Sequence, residues 1–208
     1  MAPLKALGPD GMPLIFFQHF WPLVGDEVTT TVLQFLNTTM FPCHLNHTFI
    51  SLIPKVKNPK LVFEFRPISL CNVLYKIYSK VLANRLKKVL PTLITEHQSA
   101  FTKSRPISDN ILVAFESLHS MQNHKYKKEA YMAVKSDMSK AYDRVEWSFL
   151  EAVMRQMGFT ERWIQLMMVG VKTISYSILV NGEPKGMIKP TRGIRQRDPL
   201  SFPIFVVY

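Results

Sequence analysis

Acidic side chains are scarce in this 208-residue chain: 15 Asp and Glu face 26 Lys and Arg, for a net charge of +11. A surplus of that size favours a polyanionic partner such as nucleic acid, an acidic protein or an anionic surface. Cysteine is scarcer still. Cys43 and Cys71 are the only two, and they form neither a CxxC nor a Cys/His pattern, which excludes a disulfide framework and a structural zinc site. No uninterrupted apolar run reaches membrane-spanning length, and the opening MAPLKALGPDGMP lacks the apolar stretch of a signal peptide. Reduced thiols in an intracellular protein, nuclear or cytoplasmic and without a membrane partner, fit best. No glycine-rich phosphate loop, internal repeat or low-complexity tract occurs. Hydrophobic residues make up 47% of the chain, too many for a disordered polymer, and the length suffices for one sizeable core or two packed subdomains.

The positive charge is concentrated. Residues 51–90 hold nine cations (Lys55, Lys57, Lys60, Arg66, Lys76, Lys80, Arg85, Lys87 and Lys88) against the single acid Glu64. Such a strip is either a set of solvated helix faces or a track for phosphates.

Apolar periodicity predicts the elements. Pro13 suits a first helical position, and Pro22 should end the helix it opens. Asp26 is a cap candidate for a second helix over 27–40. TFISLIP, 48–54, reads as a strand, KVKNPK as a turn and FRPIS as a second extended piece, because Pro67 biases Arg66 away from helix. NVLYKIYSKVLANRLKKVL is the best helix, with Val73, Leu74, Ile77, Val81, Leu82 and Leu86 on one face and Pro91 as its stop. SDNILVAFESLHSM predicts a helix capped by Ser108 or Asp109, with Ile111, Leu112, Phe115 and Leu118 as its stripe. AYMAVKSDM predicts a strand ending in an acid. Helices are expected near 146–157 and 160–171, then a hairpin turning at Asn181-Gly182. Asp198 is a further cap candidate. Strands and helices interleave without a regular βαβ period, so the fold class is α+β.

The most informative stretch is VKSDMSKAYDRVEW, 134–147. The predicted strand delivers Asp137 to its end, a turn follows, and Tyr142 lands five residues later beside Asp143. Hard oxygen ligands on a rigid edge are what phosphoryl transfer from a nucleoside triphosphate requires for Mg²⁺. The same residues also suit a structural role, with Asp137 capping the turn and Asp143 pairing with Arg144 or Lys140.

This stretch resembles the first catalytic motif of reverse transcriptases from plant LINE-type (non-LTR) retrotransposons, usually LDMSKAYDRVEW. KALGPDGMP, FISLIPKVKNP, FRPISLCNVLYKIYSKVLANRLK, EHQSAF, SDNILVAFE and RGIRQRDPLS follow in that family's order and spacing. The resemblance runs from Lys5 to about Tyr208 and covers about the first half of the family's polymerase domain. It implies the fingers and part of the palm of a right-hand polymerase: a helical extension over 1–45, fingers over 46–125 and partial palm over 126–208. It also implies an RNA template, a DNA primer and a deoxynucleoside triphosphate as partners.

Carried across, Asp137 matches the aspartate that binds both catalytic Mg²⁺ ions, and Met138 the next position, whose backbone lies near the metal. Tyr142 matches the aromatic under the incoming sugar, which leaves no room for a 2′-hydroxyl. Lys55 and Arg66 resemble the fingers cations that clasp the triphosphate, one a mobile point charge and the other a planar fork. Gln98, Phe101 and Arg105 align with the template-contacting segment, and Gln196 with the residue over the nucleotide.

The chain departs from the pattern in several places, among them Phe202-Pro203 where Pro-Tyr is usual. Lys103-Ser104-Arg105 stands where Pro-Gly-Arg is usual. Arg197 replaces a glycine that lets backbone approach the base pair. The family's Asp-Asp box and thumb lie beyond Tyr208, so the Mg²⁺ site is expected to be incomplete. The expectation is therefore a polymerase domain by ancestry that is inactive alone. Its rivals are a non-catalytic nucleic-acid-binding remnant and the product of a degenerate element copy.

Overall fold

The structure, a computed structural model, describes residues 6–95, 97–99, 105–123, 131–196 and 198–201. Its elements are α1 (Leu14–His19), α2 (Trp21–Thr38), β1 (His47–Pro54), β2 (Phe65–Cys71), α3 (Val73–Leu93), α4 (Ile107–Asn123), α5 (Trp147–Gln156), α6 (Glu161–Lys172), β3 (Ser175–Val180) and β4 (Glu183–Ile188). The α+β expectation holds.

The four strands form one sheet in the order β2-β1-β3-β4. β1 and β2 are antiparallel, with Thr48 opposite Cys71 and Ile53 opposite Arg66. β1 and β3 are parallel, His47 facing Ser175. β3 and β4 close the expected hairpin at Asn181 (φ 52°) and Gly182 (φ 84°), the two positive-φ positions that a tight two-residue turn demands. The sheet thus takes two strands from each side of residue 125.

Helix boundaries show where local reading was overruled. α1 ends at His19, and Pro22 opens α2 rather than closing α1. A proline in the first turn forfeits no intrahelical hydrogen bond, since that N–H has no partner there anyway. Asp26 consequently lies inside α2, which ends at Thr38 with Thr39 in the left-handed region. Pro91 falls inside α3 instead of stopping it, and Ile94 N–H closes the last turn on the Leu90 carbonyl at 3.1 Å. In that last turn the carbonyl deprived of a partner belongs to exposed Lys87, where water can serve it.

The start of α3 is capped from a distance. Asp10 accepts the Val73 N–H at 2.6 Å through Oδ2, and its own N–H donates to Asn72 Oδ1 at 2.9 Å. Gly8 permits this approach, because a Cβ there would sit 2.3 Å from the Cys71 carbonyl oxygen. The GPDG turn therefore acts as a clip on the N-terminus of α3, where a carboxylate also meets the helix dipole favourably.

The core joins α2 (Val32, Phe35, Leu36), α3, α5 (Leu150, Met154) and α6 (Ile164, Met167, Met168). On α3 the buried stripe is Val73, Tyr75, Tyr78, Leu82, Leu86 and Leu90. Leu74, Ile77 and Val81, expected inside, lie partly buried at its flank. Two tyrosines tolerate the interior because each hydroxyl has an acceptor: Tyr75 reaches Asp198 at 2.8 Å and Tyr78 the Leu166 carbonyl at 2.6 Å.

Two segments differ more sharply from expectation. AYMAVKSDM forms no strand: residues 131–138 have no regular secondary structure and are exposed. A strand needs a hydrogen-bonding neighbour, and none of the four described strands pairs with this segment. Likewise α4 forms, but none of its residues is buried, and Ile111, Leu112, Phe115 and Leu118 stand exposed.

His47 bridges the parallel strands, its ring nitrogens lying 2.7 Å from Ser175 Oγ and 3.2 Å from Ser177 Oγ. Burial lowers its pKa from the ordinary 6.5. A depressed histidine contributes stability that is present above 6.5 and lost as pH falls through the folded-state value. Thermal melts between pH 8 and 5 should therefore decline toward acid in the native chain and decline less in His47→Gln. Equal slopes would show that this ring does not set the acid sensitivity.

Candidate active site

The β1–β2 hairpin carries the first two candidates. Ile53 pairs with Arg66, and the Lys55 N–H extends the ladder to the Glu64 carbonyl at 2.7 Å. Side chains alternate along a strand, so Lys55, two residues beyond Ile53, shares a face with Arg66. Both are exposed. The Lys55 ammonium donates to the Phe63 carbonyl at 2.8 Å. Glu64 orders the tip from within, its Oε2 accepting the N–H groups of Lys60 (2.5 Å) and Leu61 (2.9 Å). Those two hydrogen bonds hold its carboxyl below the ordinary carboxylate range. Val62 and Phe63 stay exposed on this tied tip.

Gln98 and Arg105 come together. Arg105 Nη1 donates to the Thr95 and Gln98 carbonyls at 2.6 and 2.9 Å, which ties Arg105 back to residues 95 and 98. Asn110 ties the same segment to α4 by donating to the His97 carbonyl and to Ser99 Oγ, each at 2.9 Å. Phe101, Lys103, Ser104, Arg197, Phe202 and Pro203 lie outside the described residues.

Asp137 and Met138 sit in the exposed segment without regular secondary structure before a turn whose Lys140 is left-handed (φ 53°). Tyr142 follows in a short 3₁₀ turn, half-buried, and burial raises its phenol pKa. This turn and the 192–196 loop are sewn together. Ile194 N–H donates to the Tyr142 carbonyl and Gly193 N–H to the Val145 carbonyl, both at 2.8 Å. Trp147 Nε1 donates to the Gly193 carbonyl, also at 2.8 Å. Gly193 has φ 88°, and a Cβ there would lie 3.2 Å from backbone atoms of Tyr142 and Asp143. Only glycine suits that crossing. Tyr142 and Gln196, fifty-four positions apart by number, are thereby carried on two hydrogen-bonded loops.

Beneath Gln196 lies a group the sequence reading missed. Arg195 is buried, its guanidinium 3.7 Å from the centre of the Tyr75 ring. Its Nη2 donates to the Asn46 carbonyl at 3.1 Å and to Asn46 Oδ1. Asn46 in turn donates to Thr173 Oγ1 at 2.7 Å and to the Gly170 carbonyl at 3.2 Å. Asp198, also buried, accepts the Tyr75 hydroxyl and, at 3.4 Å, the Leu200 N–H. Burial raises the Asp198 carboxyl pKa, opposed by Arg195 and by the Tyr75 and Ser79 hydroxyls. Burial also works against the Arg195 charge, but Tyr75, Cys71, Asp198 and Tyr176 together hold its pKa above the ordinary value. Arg195 Nε and Nη1 have no hydrogen-bond partner among the described residues. A cavity of about 10 Å³ beside them, lined by Tyr75, Tyr176, Asp198 and Ser201 among others, has room for one water. The aromatic and asparagine partners lie 120 and more residues away in sequence, so only the buried-charge pattern RxxD hinted at this network.

Among the described residues no group of three or more His, Cys, Asp or Glu is arranged to hold a metal ion. Asp137 with the Met138 backbone does not by itself make a two-ion site. No described helix is long and apolar enough to cross a membrane.

Residues 53–208 match the family model described as "Reverse transcriptase (RNA-dependent DNA polymerase)". The chain belongs to the reverse transcriptase family. Its relatives include the "Transposon TX1 uncharacterized 149 kDa protein" of Xenopus laevis, 28% identical over 197 residues that are 95% of this chain and 15% of that protein. The "Retrovirus-related Pol polyprotein from type-2 retrotransposable element R2DM" of Drosophila melanogaster is 26% identical, over 93% of this chain and 18% of that protein. A type-1 R2 polyprotein of Nasonia vitripennis is 28% identical, over 94% of this chain and 18% of that protein. This reverse transcriptase domain thus matches non-LTR retrotransposon Pol proteins and spans less than a quarter of their length. Reverse transcriptases generally use a divalent metal, a nucleic-acid template and primer, and a deoxynucleoside triphosphate.

Proposed function

We propose that this chain is the fingers and partial palm of a LINE-type RNA-directed DNA polymerase, and that it binds template and nucleotide but does not polymerise alone. The boundaries proposed are 1–45 for the helical extension, 46–125 for fingers and 126–208 for palm, with a plant element as the source suggested by motif spelling. The observation that carries the reading is the hydrogen-bonded crossing of the Tyr142 turn and the Gln196 loop. It supports one nucleotide position for Tyr142 against the sugar and Gln196 over the base; Lys55 and Arg66 are assigned toward the triphosphate on the family motifs alone. The parent reaction joins a primer 3′-hydroxyl to the nucleotide α-phosphate and releases pyrophosphate. Asp137 is the proposed catalytic carboxylate. Because the described residues do not complete a two-ion site, no step is assigned to metal here.

Two measurements test this. Anisotropy with a short single-stranded RNA should show affinity falling steeply with salt, and each of Lys80→Ala and Lys87→Ala, exposed cations of the 51–90 strip, should flatten the log–log slope by about 0.7. Absence of binding at low salt would sink the nucleic-acid reading. Primer extension by the purified chain should stay at background; template-dependent synthesis that Asp137→Asn abolishes would overturn the claim of inactivity. Binding without extension and without nucleotide protection would favour the non-catalytic remnant, which the exposed position of Asp137 also suits.

A further inference from the structure

The described residues around Gln196, 189–196 and 198–199, form no helix or strand. Something other than a backbone ladder must hold it. Hydrogen bonds from Gly193 and Ile194 fix the near side. One residue before Gln196 and two after it, the chain buries two opposite charges, Arg195 and Asp198, each 4% exposed. Burying a guanidinium and a carboxylate within four residues costs several kcal/mol per ion unless each is well engaged.

Their engagement runs to different elements. Arg195 reaches Asn46, just before β1, and stacks on Tyr75 of α3. Asp198 reaches Tyr75 through the hydroxyl. One tyrosine therefore serves both charges, the cation on its face and the carboxylate at its edge. No direct Arg195–Asp198 ion pair forms among the described residues; the two attract across the buried space and share Tyr75 and the small cavity beside it. Ile194 and Leu200, buried on the outer sides, add apolar anchors. The arrangement pins the chain at 195 and at 198 and leaves Gln196 half-exposed between the pins.

We infer that Arg195 and Asp198 are positioning residues, a buried two-charge latch on Tyr75 that sets where Gln196 stands. The functional weight of this latch rests on the proposed nucleotide role of Gln196; the latch itself does not. A purely structural pair would change only the melting temperature of the whole chain. A latch also releases the loop in a chain that is still folded.

Trp147 reports the loop directly, since its indole donates to the Gly193 carbonyl. Trp21→Phe and Trp163→Phe leave it as the sole indole; Trp163 Nε1 has no hydrogen-bond partner among the described residues. In that background Arg195→Lys keeps charge and a tryptic site but removes the planar fork, and Asp198→Asn keeps shape but removes charge. Each is expected to retain the far-UV signature and a cooperative melt. Each should also shift Trp147 emission to the red and speed trypsin cleavage after residue 195 by about tenfold, the scale of one charged hydrogen bond lost. Folded variants with unchanged emission and unchanged cleavage would overturn the latch.

If a single substitution prevents folding, Arg195→Met with Asp198→Asn removes both buried charges together, a change that cores often accept. The double variant should fold and still show the red shift in Trp147 emission; a folded double variant with native emission would likewise overturn it. Protection of residue 195 by dGTP reads the other claim. Red-shifted variants combined with no dGTP protection of the native chain would support the latch and remove the nucleotide role of Gln196.

Discussion

Tyr75→Ala should leave the chain without a cooperative melt, whereas Tyr75→Phe should melt cooperatively at a lower temperature. The ring of Tyr75 is almost completely buried and meets Phe41 edge-to-face, with centroids 5.7 Å apart. Truncating a buried aromatic to alanine costs about 3–5 kcal/mol. Stranding the Asp198 carboxylate that the hydroxyl serves adds about 1–3 kcal/mol. The guanidinium of Arg195 loses its aromatic face as well. The total is comparable to the whole stability of an ordinary domain, about 5–15 kcal/mol. Phenylalanine keeps the ring and loses only the hydrogen bond, about 1.5–3 kcal/mol for a charged acceptor. In a chain of this size that lowers the melting temperature by roughly 3–12 °C. Calorimetry on the two variants checks the contrast, and a native-like melt of Tyr75→Ala would show that the network is not a keystone of the core.

Gly193→Ala should be much more damaging than Gly158→Ala, although both glycines have φ above 80°. A left-handed alanine costs about 1–2 kcal/mol by itself, and Gly158 has nothing within 4 Å of an added Cβ. At Gly193 the same Cβ meets the Asp143 Cα and the carbonyl oxygens of Tyr142 and Asp143 at 3.2 Å. These are backbone atoms and cannot rotate aside. Relief requires the two loops to part, which strains the Gly193–Val145 and Ile194–Tyr142 hydrogen bonds, each worth about 0.5–1.5 kcal/mol. Chemical denaturation should therefore separate the two variants by about 1–3 kcal/mol. Equal losses would mean that the crossing yields freely.

What could be read in the sequence was what depends on near neighbours. Asn181-Gly182 announced its hairpin because a two-residue turn is decided by its own φ angles. The amphipathic pattern located α3, but the inward stripe runs through Tyr75 and Tyr78, since a phenol becomes a core residue once a distant acceptor exists. Distant partners were invisible. Asp10 caps a helix whose first residue is 63 positions away, and Asn46 meets Arg195 across 149. AYMAVKSDM has strand composition, yet a strand exists only beside another strand. For the candidate site, the residue types at 55, 66, 137, 142 and 196 were legible through the family motifs; the shared face of Lys55 and Arg66 came from sheet register, and the Arg195–Asp198 network from packing.

The parallel pairing of β1 with β3 also bears on how the chain is made. His47 faces Ser175, so a ribosome must emit well over a hundred further residues before the central strand can acquire its second neighbour. Until then the β1–β2 hairpin, α2 and α3 can assemble locally, but one side of β1 offers an open row of N–H and C=O groups. Contacts this far apart in sequence are slow to form and prolong that exposure. The nascent chain is thus most vulnerable to strand-mediated association in the interval between β2 and β3.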